Sequence, residues 1–286
     1  MTSSVIPAHV VAVVLAAALL HASWNALIRG APDKGLYTLM MHACSALVAC
    51  VGLIFIGLPA PASWPWLIAS ALLHTLYILL LMRAYKEGQL AVSYVLMRGL
   101  APLAVCLASA PLLGESLPAL AWAGVLCIVL GVLGIALGSG APVLQALRSP
   151  ANLAALGNAI VIAAYTLVDG QGARLSGNTI AYVLALALLE PMVILLYTLR
   201  TRPRAFLNYT RAHWPLGLLG GCISMASYAM ALWAMTQAPI AVVATLRESS
   251  VIFAVLIGAL WFKEGRLRTG LLAAGAVLTG ITLIRS

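Results

Sequence analysis

Charge is scarce in this sequence. Only 8% of its 286 residues are Asp, Glu, Lys or Arg, with seven acids and three lysines in all, while 63% are hydrophobic and the mean hydropathy is +1.06. A soluble fold of this size needs far more polar surface, so a soluble globular domain is excluded. The few acids do not cluster, and no nucleophile-base pair stands near one interface, which argues against a polytopic enzyme of lipid metabolism. No Cys-x-x-Cys pair occurs, and none of Cys44, Cys50, Cys106, Cys127 and Cys222 has a histidine at metal-ligand spacing. No metal site is expected, and the thiols read as apolar packing groups. There is no G-x-x-x-x-G-K-[ST] loop, so a gradient rather than a nucleotide is the expected energy source, and no cofactor is implied. Met1–Ala8 lacks Lys and Arg, and the first apolar run continues into His21, Trp24 and Asn25, unlike a cleaved signal peptide.

What the sequence has in abundance is long apolar windows. A helix needs about 20 predominantly apolar residues to cross roughly 30 Å of hydrocarbon. Ten windows qualify, near 8–28, 36–57, 65–85, 91–112, 118–138, 152–170, 178–199, 214–236, 240–262 and 267–284. Turn signals such as Gly30-Ala31-Pro32-Asp33, Pro59-Ala60-Pro61, Gly138-Ser139-Gly140 and Pro203 separate them. The expected class is an all-α membrane protein of ten transmembrane helices. The net charge of +9 does not point to nucleic acid, because the basic residues are spread over membrane-edge loops rather than gathered on one face.

An internal repeat organises the chain. AYKEGQLAVSYVLMRG at 84–99 aligns with AMTQAPIAVVATLRES at 234–249, and PLLGESL with ALWFKEGRL. Ala91 falls opposite Ala241, Arg98 opposite Arg247 and Glu115 opposite Glu264; Trp24 falls opposite Tyr165. The expected domains are residues 1–140 and 141–286, each a five-helix repeat. Because five is odd, the second copy enters the membrane inverted, an arrangement that puts a transport site at the repeat interface near the bilayer midplane.

These features carry a family resemblance. Two five-span repeats, HASWN at 21–25, AAYTLVDGQGA at 163–173, and the turns Gly114-Glu115 and Lys263-Glu264-Gly265 together resemble the drug/metabolite transporter superfamily, specifically its EamA-type members. The resemblance spans essentially the whole chain. It implies a secondary active transporter working by alternating access, not an enzyme, in the bacterial inner membrane. The superfamily moves amino acids, sugars, nucleotide-linked metabolites and drugs, and the resemblance runs nearest to the aromatic amino acid exporters.

One hexapeptide offers a competing reading. Asp169 to Arg174, D-G-Q-G-A-R, matches the opening of the CDP-alcohol phosphotransferase signature, which continues with a glycine and two aspartates at four-residue steps. Here those positions hold Val183, Ala187 and Pro191, so the binuclear metal site cannot be built. The segment reads instead as a helix C-terminus, with Gly170 and Gly172 able to turn left-handed and Arg174 suited to the negative end of the dipole.

Ionisable groups inside a span cost about 2.5–3.5 kcal/mol at the bilayer centre and normally face a bundle interior or a wet cavity. His21, Trp24, Asn25 and Ile28 share one helix face and could line a polar, aromatic cavity, or serve as interhelical glue. His74 and Tyr77 follow the same spacing in the third span, with Ser224, Ser227 and Tyr228 at the equivalent places in the eighth; they read as cavity lining or as plain packing. Arg98 and Arg247 could grip a carboxylate or a phosphate, or form ion pairs between helices. Tyr165 and Asp169 share a face of the sixth span.

Asp169, Glu190 and Glu248 are candidates for coupling to protons, with Glu190 the expected buried titrating group. Pro102, Pro191 and Pro239 are candidate hinges, although Pro239 also suits the start of a helix.

Loop charge conflicts with the resemblance over orientation. The loops after the odd-numbered spans hold twelve Lys and Arg, from Arg29 and Lys34 to Arg266 and Arg268, whereas the other set holds Arg174 and Arg285. The positive-inside rule then places both termini outside the cytoplasm, while the resemblance implies cytoplasmic termini. The leading function is export or import of small metabolites, amino acids including aromatic ones foremost. Carriage of phosphorylated or phosphonate metabolites is the runner-up, ahead of a lipid enzyme or a receptor scaffold. The expected partners are a small-molecule substrate and the lipid bilayer; the sequence leaves the oligomeric state open and is compatible with a monomer.

Overall fold

The computed structural model describes residues 6–87, 90–137, 150–261, 263, 275–276 and 278–284, with side chains at 82, 84–87, 90–96, 98, 132–137 and 151–152 outside that description. Every regular element described is helical. The order is α1 (Ala8–Gly30), α2 (Lys34–Ile56), a 3₁₀ turn (Pro61–Ser63), α3 (Trp64–Glu87), α4 (Leu90–Leu113), α5 (Ala119–Leu137), α6 (Pro150–Leu175), α7 (Thr179–Leu189), α8 (Met192–Thr201), α9 (Pro203–Gln237), α10 (Ile240–Arg247) and α11 (Ser250–Leu260). Residues 278–284 are helical as well. Half of the tenth expected span, 267–274 and 277, lies outside the described residues.

Among the described residues, seven helical stretches are long and apolar enough to cross a membrane: Ala8–Gly30, Lys34–Ile56, Pro61–Leu81, Leu153–Leu175, Thr179–Thr201, Pro203–Gln237 and Ile240–Leu260. Gly99–Leu113 and Ala119–Gly131 are shorter apolar stretches. Such helices are apolar all round because lipid, not water, meets their outer faces. Accordingly Ile54, Phe55, Leu260 and Trp261 are among the most exposed side chains.

Close approach between helices rests on small residues, as lipid supplies no hydrophobic drive for association. On α9, a Cβ at Gly221 would stand 2.8 Å from the Met41 carbonyl of α2, and one at Gly217 would stand 2.8 Å from the Met40 side chain. Gly124 of α5 and Gly280 oppose each other, and a Cβ on either would meet the other's carbonyl oxygen at 2.6 Å.

The packing has a reciprocal character. α1 lies against α9 and against α10 and α11; α6 lies against α3 and α4; α2 meets α7 and α4 meets α10. The Ser227 hydroxyl ties α9 to α1 by donating to the Ala17 carbonyl at 2.8 Å. Gly114 and Lys263, each just before an aligned glutamate, both have left-handed backbone, with φ of 69° and 54°. A lysine adopts that conformation only where its surroundings impose it.

Two expected spans are interrupted. The seventh breaks at Glu190-Pro191 between α7 and α8, as proline removes a backbone donor. The ninth breaks at Glu248-Ser249 between α10 and α11, where backbone bonds Glu248 to Thr245, Ser249 to Leu246, and Val251 to Glu248 tighten the turn without any proline. α9 is longer than its expected span of 214–236, because Pro203 starts a 35-residue helix.

The hexapeptide at 169–174 lies at the C-terminal end of a helix, with Arg174 in the last turn, but neither of its glycines ends it. α6 runs through it to Leu175, and the left-handed glycine is Gly177, with φ 68°. Gly170 and Gly172 are glycine for space instead: Ile240 rests on the first and the Tyr182 ring on the second.

Candidate functional site

The site grows from a carboxyl group with nowhere to find water. Asp169 sits five residues before Arg174 on α6 and is completely buried. Its Oδ1 accepts the Tyr182 hydroxyl from α7 at 2.9 Å, and its Oδ2 accepts the Tyr228 hydroxyl from α9. Tyr182 can come this close because Gly172 offers no Cβ in its path. Without such donors a buried carboxyl costs several kcal/mol, about 1–3 for each unmet hydrogen bond. Glu190, by contrast, stands half-buried at the bend between α7 and α8. Asp169, not Glu190, is the enclosed acid.

An aromatic cluster surrounds it. His74 of α3 stacks on Tyr165 of α6, with ring centres 4.2 Å apart at 28°, and meets Tyr228 edge-on at 6.4 Å. Tyr77, one turn along α3, stands edge-on to Tyr165 at 6.0 Å. Ser70 fixes the imidazole, its hydroxyl and carbonyl lying 3.1 and 3.0 Å from His74 Nδ1. Helical periodicity explains the cluster: residues 70, 74 and 77 share one face of α3, and 165 and 169 share one face of α6.

Arg247, the last residue of α10, holds its guanidinium 5.6 Å above the Tyr228 ring. Among the described residues no carboxylate or carbonyl accepts its five N–H groups, and the contact recorded there is with the Tyr228 face. Beside it lies a cavity of about 30 Å³ whose walls include Pro102 and Val105 of α4, Tyr165 and Thr166 of α6, and Arg247 and Glu248 at the helix break. That is room for about two waters. Glu248 is 7% exposed and Ser249 1%; the Ser249 hydroxyl has no partner among the described residues.

The structure thus gathers His74, Tyr77, Tyr165, Asp169, Tyr228, Arg247 and Glu248 into one neighbourhood. It places others elsewhere. Trp24 packs against the apolar cluster of Tyr37, Met40, Met41 and Phe206, and touches His21 edge-on at 5.0 Å. The Asn25 side chain donates back to the His21 carbonyl at 2.8 Å. Ser224 is half-buried on α9, one turn before Tyr228. Arg98 lies on α4, and its side chain is outside the described residues. Pro102 stays inside an unbroken α4, Pro191 sits at the α7–α8 break, and Pro239 caps the start of α10. Sequence reasoning missed Tyr182 and Ser70. Tyr182 lies in an apolar run, TIAYVLALALL, with no periodic polar signal around it.

With this geometry in place, the comparison with known families is specific for the first half. Residues 9–137 match the EamA-like transporter family. The match covers under half of the chain and supports the drug/metabolite transporter superfamily. A solved crystal structure of a protein has the same fold, with a TM-score of 0.75, covering 96% of this chain and 96% of that one. At 18% identity that likeness speaks for the fold alone. No curated protein matches the sequence.

Proposed function

We propose that the chain is an EamA-type secondary transporter of the inner membrane, in which residues 1–140 and 141–286 are inverted five-helix repeats that rock about a central site. The family match over 9–137 supports it, since it ends close to the expected repeat boundary. The reciprocal packing supports it too: α1 on α9 and α10–α11 has its counterpart in α6 on α3 and α4. The paired left-handed residues Gly114 and Lys263 add a local likeness.

One observation carries the substrate reading. Arg247 is a cation at membrane depth, beside a cavity, with an aromatic face beneath it and no acceptor among the described residues. An anionic group of the substrate completes it. The neighbouring Glu248 and Asp169, with the rings of His74, Tyr77 and Tyr165, favour a zwitterion with an aromatic or apolar side chain, so amino acids are the first class and organophosphates or phosphonates the second. Asp169 is the group that would carry a coupled proton. The cavity is smaller than any amino acid, so admission requires α4, α6 and α10 to part.

The test is a thermal-shift screen of detergent-purified protein against amino acids, organophosphates and phosphonates, repeated on Arg247→Ala. A ligand that stabilises the wild type and not the variant supports the reading. A ligand that stabilises both equally removes Arg247 from the site.

A further inference from the structure

The three helices that line the cavity meet again at one end of the bundle, in contacts that tie the two halves of the chain together. Glu115, in the turn after α4, pairs through Oε1 with Arg174 Nη1 at 2.6 Å, while its Oε2 accepts the backbone N–H of Ile240, the first residue of α10, at 2.8 Å. Arg174, in the last turn of α6, also donates from Nε to the Met235 carbonyl at 2.8 Å and from Nη2 to the Ala238 carbonyl at 3.1 Å. The pair therefore satisfies both an unpaired helix start and an unpaired helix end, at the α9–α10 turn. Such charge-assisted bonds are stronger than neutral ones.

Between this pair and the cavity lies a dry seal. Along α6, Thr166 lines the cavity and Arg174 stands eight residues on, about 12 Å at 1.5 Å per residue. In that interval Ile240 fills the space over Gly170, and Cys106, 2% exposed, packs within 3.6 Å of the Thr245 hydroxyl. Ile240, Val243 and Thr245 have no exposure at all. Opening the cavity toward this end must separate α4, α6 and α10, and the only ionic cross-tie among the described residues here is Glu115 with Arg174.

We infer that Glu115 and Arg174 form a gate latch, which holds the cavity shut on their own face of the membrane and must release for that face to open. The latch rests on the alternating-access reading but is tested without any substrate. Cys106 is a native reporter inside the seal. In a background with Cys44, Cys50, Cys127 and Cys222 replaced by serine, a membrane-impermeant maleimide is applied to intact cells and to inverted vesicles.

In the parent protein Cys106 reacts slowly from the face that carries Glu115. Glu115→Gln and Arg174→Gln each speed labelling from that face, on the order of tenfold, the population change that a few charge-assisted bonds can hold. The double variant adds little beyond either single one, because both break the same device. Unchanged labelling in the folded single variants overturns the latch, as does equal acceleration from both faces. Size-exclusion profiles report folding, and Glu115→Asp, which keeps the charge while shortening the reach, replaces Glu115→Gln if that variant does not fold. Faster labelling in a protein that moves no solute would uphold the latch and sink the transport reading, and the converse pattern would do the reverse.

Discussion

Tyr182 reaches Asp169 across a gap left by Gly172, so the single hydrogen atom of a glycine on α6 decides whether a buried acid on the same helix keeps one of its two phenol partners. The relationship spans two helices and three residues, and each member is ordinary alone.

Gly172→Ala is therefore expected to push the Tyr182 ring aside and destabilise the fold by about 1–3 kcal/mol, the range for overpacking a tight interior. Tyr182→Phe keeps the ring and removes only the hydroxyl, at about 1–2 kcal/mol. Thermal unfolding of the two variants checks this. A Gly172→Ala protein as stable as the wild type would mean that Tyr182 has room to move.

Tyr228 touches both ends of the site, with its face under Arg247 and its hydroxyl on Asp169. Tyr228→Phe should keep ligand affinity within a few-fold, while Tyr228→Leu should weaken it by about 0.5–2 kcal/mol through loss of the cation-π contact. Isothermal titration with a ligand from the thermal-shift screen separates the two. Equal losses would show that the ring does not hold the guanidinium.

Arg247→Lys is expected to retain part of the binding that Arg247→Ala loses, because an ammonium keeps the charge but not the planar fork. Ligand-induced shifts in melting temperature measure both variants. Binding in Arg247→Ala equal to that of the wild type would reject the anion site.

Trp24 was the natural aromatic candidate from its helical spacing with His21 and Asn25, yet it packs on Tyr37, Met40, Met41 and Phe206. Trp24→Ala should lower stability, by less than the roughly 3–5 kcal/mol of a fully buried tryptophan, and reduce uptake of aromatic and small substrates alike. A selective loss of aromatic uptake in a proteoliposome assay would return Trp24 to the site.

Much of the fold was legible in the sequence, because the bilayer demands runs of about 20 apolar residues and leaves few other solutions. The cluster of His74, Tyr77, Tyr165 and Asp169 was legible too, since helical periodicity alone puts its members on shared faces. The break at Glu248-Ser249 was not: LRESS contains neither glycine nor proline, and the tightened turn depends on packing. Gly170 and Gly172 misled for a related reason. Glycine ends helices and also admits neighbours, and only the positions of Ile240 and Tyr182 distinguish the two uses. Glu115 and Arg174 each stood out locally, one in a repeat-matched turn and one in a decoy motif. That they meet is a fact of tertiary arrangement, invisible to any spacing rule.

Gly124 and Gly280 leave no room between their backbones for even one methyl group. Ile284 rests on the first glycine and Ile128 on the second, so side chains close the seam on both flanks and neither glycine tolerates a side chain of its own. A side chain at either position would therefore force α5 away from the helix of residues 278–284, which makes this contact one of the least tolerant of substitution between the first and last parts of the chain.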